Sequence, residues 1–111
     1  MSTKPATAPP ETFFRSRDST PLAVLADEPG DLATRHGLVF AEGLDDLDRF
    51  LFAQVVLSDG TSVVLLKHDG DPNPGTVVRM DALGDPMRMR NLLVSALGLG
   101  PGDVLWWSAG V

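Results

Sequence analysis

The stretch Phe50–His68, "FLFAQVVLSDGTSVVLLKH", decides the fold. Two runs of β-branched and aromatic residues flank Ser58-Asp59-Gly60-Thr61, and such runs around a turn pair form a hairpin. Asp-Gly is a preferred centre for a two-residue type I′ turn, in which both residues take positive φ. A turn centred on Asp59 and Gly60 sets the register. Val56 then opposes Val63, Gln54 opposes Leu65 and Phe52 opposes Lys67. On the second face Val55 opposes Val64, Ala53 opposes Leu66 and Leu51 opposes His68. That second face, Leu51, Ala53, Val55, Leu57, Val64 and Leu66, reads as a core face. The first carries Phe50, Phe52, Val56, Val63 and Leu65 beside Gln54 and Lys67, too apolar to be wet and too polar to be deep core.

Downstream, "HDGDPNPGT" (68–76) places Asp69, Asp71 and Asn73 at alternate positions, as calcium loops begin. Such a loop needs glycine at its sixth position and a bidentate glutamate at its twelfth. Counting from Asp69, these positions hold Pro74 and Met80. The stretch therefore reads as a rigid connector, because Asp-Gly, Asp-Pro, Asn-Pro and Pro-Gly are turn pairs. "TVVRM" (76–80) follows as a third strand, short and charged enough for an edge.

The next helix is well specified. Asp85 is an N-cap and Pro86 fits the first turn. Met89, Leu92, Leu93, Ala96 and Leu97 form an apolar stripe, Gly98 is the stop, and Pro101 prevents continuation. The reading is a helix over 86–97 packed on the core face. "VLWW" (104–107) is a last strand beside the hairpin, with Trp106 and Trp107 on opposite sides.

Upstream, "PLAVLA" (21–26) reads as a strand. A two-turn helix follows near 29–36, with Pro29 in its first turn, Arg35 and His36 in its last and Gly37 as its stop. "EGLDDLDRF" (42–50) places Leu44, Leu47 and Phe50 on one side of a helical turn, with Asp45, Asp46 and Asp48 outward. The 21–48 segment should cover the other sheet face or an edge. Residues 1–12 are rich in Pro, Thr and Ala and read as a disordered tail, so 13–111 form a single domain. Phe13 and Phe14 either pin the start of that domain or act as a docking peptide. The fold class is a small α+β domain.

The chain has no cysteine, so disulfides and thiolate metal sites are excluded and a cytoplasmic location is expected. No apolar run reaches membrane-helix length, and the N-terminus lacks a signal-peptide pattern. Net charge is −6, and eight acids against one arginine fall between Asp18 and Asp48. That surface disfavours nucleic acid and admits a basic protein partner. No nucleophile motif, phosphate loop or dinucleotide fingerprint occurs.

The expected function is therefore a non-catalytic protein-binding or regulatory role: a regulator, inhibitor, immunity-type protein or assembly subunit. Its contact residues would be Phe52, Gln54, Leu65 and Lys67 on the sheet, Asp45, Asp46 and Asp48 in the acidic segment, and Asp69, Asp71 and Asn73 in the loop. A homodimer through the mixed sheet face is a further outcome. The rival reading is a small-molecule or metal-binding domain, with or without catalysis, using His68, Asp69 and Asp71. No cofactor is implied.

Overall fold

A computed structural model of the chain describes residues 19–44 and 49–108. In chain order the elements are β1 (Ser19–Leu25), α1 (Pro29–His36), β2 (Ala41–Leu44), β3 (Arg49–Val56), β4 (Ser62–His68), β5 (Thr76–Asp81), α2 (Pro86–Leu97), a 3-10 turn (Pro101–Asp103) and β6 (Val104–Trp107). The six strands form one antiparallel sheet in the order β2-β3-β4-β5-β1-β6. The α+β class, both helices and the final strand agree with the sequence reading.

The hairpin register does not. Val55 pairs with Val63, Gln54 with Val64, Ala53 with Leu65, Phe52 with Leu66 and Leu51 with Lys67. This is one residue away from the type I′ alignment. Gly60 alone in the turn has positive φ, +89°, and among the described residues no other residue type does. Gly60 N–H donates to the Leu57 carbonyl at 2.9 Å, and Leu57 N–H donates to the Thr61 carbonyl at 2.7 Å. The loop is therefore three residues, Ser58–Gly60, with a single left-handed residue, the common alternative to type I′. Asp59 selects it. Its carboxylate accepts from the Thr61 amide at 3.0 Å and from the Thr61 hydroxyl. It also accepts from Arg88 of α2 at 3.1 Å. These hydrogen bonds, the Thr61 hydroxyl's first, hold the Asp59 carboxyl below its usual range.

A one-residue slip moves every β4 side chain to the other face. Val63 and Leu65, each 0% exposed, enter the main core. Val64 and Leu66 turn to the opposite face beside Gln54 and Phe52. Because the chain lacks cysteine, the register can be tested cleanly. Val56 and Ser62 are directly opposed across a non-hydrogen-bonded pair, where side chains are closest. A Val56→Cys/Ser62→Cys double variant should oxidise to a disulfide quantitatively, as read by thiol titration. A Val56→Cys/Val63→Cys variant should keep free thiols.

β5 is an interior strand, flanked by β4 and β1, where an edge was expected. The charge that argued for an edge is satisfied locally: the Arg79 guanidinium donates to the Ser19 hydroxyl and carbonyl, each at 2.9 Å. β6 pairs with β1 at the far edge and not beside the hairpin. The 21–48 segment is divided in the same way. β1 enters the sheet, α1 packs on the face that α2 covers, and β2 forms the other edge. Leu44 and Phe50 lie in strands and not on one helical turn; Asp45, Asp46, Leu47 and Asp48 lie outside the described residues. So do the 1–12 tail and Phe13-Phe14.

One core forms between the sheet and the two helices. Leu22, Ala23, Leu25, Val63, Leu65, Val78 and Met80 of the strands meet Leu32 of α1 and Met89, Leu93 and Leu97 of α2. A bulge between Pro21 and Ala23 lets consecutive residues Leu22 and Ala23 both enter it. α2 forms as its sequence dictates. Asp85 accepts from the Met87 amide at 3.1 Å, and Gly98 closes the helix at φ +62°. Trp107 reaches the helix side, where Arg90 stacks 4.9 Å from its ring centre, while Trp106 takes the other face.

Candidate functional site

β2 is shorter than the strand it borders. Its pairing with β3 runs from Leu44 opposite Arg49 to Ala41 opposite Phe52, and there it ends. Residues 37–40 continue towards α1, with Leu38 and Phe40 packed against the core and Val39 62% exposed. The rest of β3, from Gln54 to Val56, is left as an open half-edge in the described structure.

An open groove of about 410 Å³ lies there, lined by His36, Leu38, Gln54, Val55, Val56, Ala96 and Leu97. Each wall has a local cause. His36 is the last residue of α1, where left-handed Gly37 (φ +66°) turns the chain away. Ala96 and Leu97 end α2, immediately before left-handed Gly98. Leu97 is buried, whereas the small Ala96 is exposed and leaves the mouth wide. Val55 faces the helices, and Gln54 and Val56 face the other side. Gln54 donates through its amide to the Ser62 hydroxyl at 3.0 Å. Val56 is 56% exposed. The Nε2 atom of His36 is buried and has no hydrogen-bond partner among the described residues, a costly state for a polar atom.

The corrected register separates the expected contact residues. Phe52 and Gln54 remain together, with Val64 and Leu66 beside them. Leu65 is in the core. Lys67 faces the helix side, where it forms an ion pair with Glu28 at 3.5 Å and donates to the Asn73 carbonyl. Asp71 accepts from the Asn73 amide at 2.9 Å, the local turn bond that its residue type favours. Asp69 sits 3.8 Å from Arg49. His68 lies against the Phe50 ring, centroids 5.2 Å apart. His68, Asp69 and Asp71 thus have different neighbours. Among the described residues no group of three or more His, Asp or Glu side chains is placed to hold a metal ion.

The acidic segment is also divided. Asp27 pairs with Arg35 at 2.5 Å, and Glu28 accepts from the Gly75 amide at 2.7 Å. These two acids hold the 69–75 loop and α1 in place. Asp31 and Glu42 are exposed, and Asp45, Asp46 and Asp48 lie outside the described residues. Asp103 accepts from the Gly100 amide at 2.8 Å, which with the nearby Arg35 holds its carboxyl below the usual range. Sequence reading missed His36, Leu38, Val55, Val56, Ala96 and Leu97 as groove residues. Their common signal, the place where β2 stops short of β3, is a property of pairing and not of any local motif. Among the described residues no helix is long and apolar enough to cross a membrane. No family model, curated protein or solved structure matches the chain.

Proposed function

We propose that this chain is a small non-catalytic protein-binding protein, of the regulatory, inhibitory or assembly kind, and that the groove beside Gln54–Val56 is its contact surface. The observation that carries this reading is the combination found there: an apolar wall, the exposed Val56 at its rim and β3 backbone that no described strand pairs with. Exposed apolar residues gathered around a recess mark interaction sites. Phe52, on the same side of the sheet as Gln54 and Val56, extends the surface. The excess of acidic residues favours a neutral or basic partner. The absence of cysteine supports a cytoplasmic setting.

The test compares the wild-type chain with Val56→Asp, an exposed position whose substitution leaves the core intact. The wild type should retain a protein in stoichiometric amount from its source cells, and Val56→Asp should lose at least 90% of it (roughly tenfold weaker binding, or more). Equal retention by both chains, with equal melting temperatures, would remove the groove from the account.

A further inference from the structure

Resting on the binding reading above, we infer that the groove's occupant is an extended peptide segment of another protein, added as a strand to the open half of β3. The backbone phase of β3 carries the inference. Leu57 N–H donates to Thr61, and Asp69 N–H donates to Arg49, at 2.7 and 2.8 Å. In an antiparallel ladder a residue directs both its N–H and C=O to one side, and the next residue directs them to the other. Residues 49, 51, 53, 55 and 57 therefore turn theirs to β4. Phe50 and Phe52 turn theirs to Gly43 and Ala41 of β2. Gln54 and Val56 point the same way, where β2 has ended. They present two donors and two acceptors into the groove, about 6.8 Å apart along the strand. Water meets them in the free protein, and among protein groups an extended backbone matches the spacing of all four.

The side chains agree. A residue opposite Val55 would place its side chain on the helix side, against Leu38, Ala96 and Leu97. That position calls for an apolar or β-branched residue. The buried, unpartnered Nε2 of His36 supplies one polar contact in the same groove. With a net charge of −6 on the chain, a neutral or basic segment is favoured over an acidic one.

A second copy of the chain fits less well. Two β3 edges centred on Val55 would pair Gln54 with Val56 of the other copy and satisfy the same four groups. The same register carries Ser58 of that copy to Phe52, where Ala41 already sits. The hairpin turn of one copy would meet β2 of the other. A free segment can end after three or four residues and avoid this. Strand addition of this type draws its affinity from main-chain bonds and its specificity from alternate side chains.

The experiment is selection of a random decapeptide phage library on the full chain, followed by titration of synthetic selected peptides. Expected are sequences with alternating apolar residues that protect the Gln54 and Val56 amides from exchange. They should lose at least tenfold in affinity when alternate peptide amides are N-methylated, a change that leaves the protein untouched. They should lose as much against Ala96→Trp, which fills the groove from an exposed helix position. Selected peptides indifferent to N-methylation, no enrichment over the Ala96→Trp chain, or a concentration-dependent dimer lost in Val56→Pro would each overturn the inference. If no peptide is selected while a protein partner sensitive to Val56→Asp is still captured, strand addition fails and the binding reading stands.

Discussion

Leu65→Ala is expected to lower the stability of the domain by about 3–5 kcal/mol, a fall in Tm of roughly 12–25 °C for a domain of this size. Leu65 is 0% exposed and sits between Ala53 and Val78, in the cluster that both helices cover. Truncation there removes apolar contact and leaves a cavity between sheet and helices that close-packed neighbours only partly fill. The type I′ register would instead place Leu65 opposite Gln54, where Val64 now sits 1% exposed, and would put Val64 in the helix-covered core. Urea denaturation measures the loss, and the turn chemistry of Asp59 sets the register that puts Leu65 beneath the helices. A domain of this length has about 5–15 kcal/mol in total, so the variant should approach the threshold of folding at 37 °C.

Gly75→Ala should be the second severe change, at about 2–4 kcal/mol. Gly75 closes the 69–75 loop at φ +91°, a conformation in which a Cβ is strained. The fold adds a second constraint there: a Cβ at Gly75 would run into the Leu25 carbonyl oxygen of β1. Its N–H is held by Glu28. Relief of the clash must move the loop away from α1 and weaken that bond. Gly30→Ala supplies the contrast. A Cβ at Gly30 meets nothing within 4 Å, and its backbone lies in the helix α1. That substitution should stabilise by about 0.5–1 kcal/mol. Thermal melts of the two variants should therefore shift in opposite directions.

The elements whose signals are local were legible in the sequence. Pro29 with Gly37, and Asp85-Pro86 with Gly98, delimit the two helices in the structure as they do in the sequence. The loop carboxylates at Asp71 and Asp59 form turns, as their neighbours imply. What failed depended on one torsion or on distant pairing. Asp-Gly is compatible with two hairpin loops that differ by one residue, and the choice between them reassigns Leu65 and Lys67. β5 looked like an edge because Arg79 is charged. Its neighbour β1 comes from 60 residues earlier, and Ser19 meets the guanidinium. The groove was illegible for the same reason. Gln54 was singled out, but its exposed backbone follows from where β2 ends, which no periodicity in Ala41–Leu44 announces.

The central claim is that β3 keeps a free half-edge beside an apolar groove. Residue-resolved amide hydrogen exchange of the free protein tests it most directly. Ala53 and Val55, whose amides are turned to β4, should be protected close to the level of global unfolding. Gln54 and Val56, in the same strand, should exchange roughly 100-fold faster or more, because opening their amides requires no unfolding. Protection of Gln54 and Val56 equal to that of Ala53 and Val55 would show the edge closed in solution and would contradict the account.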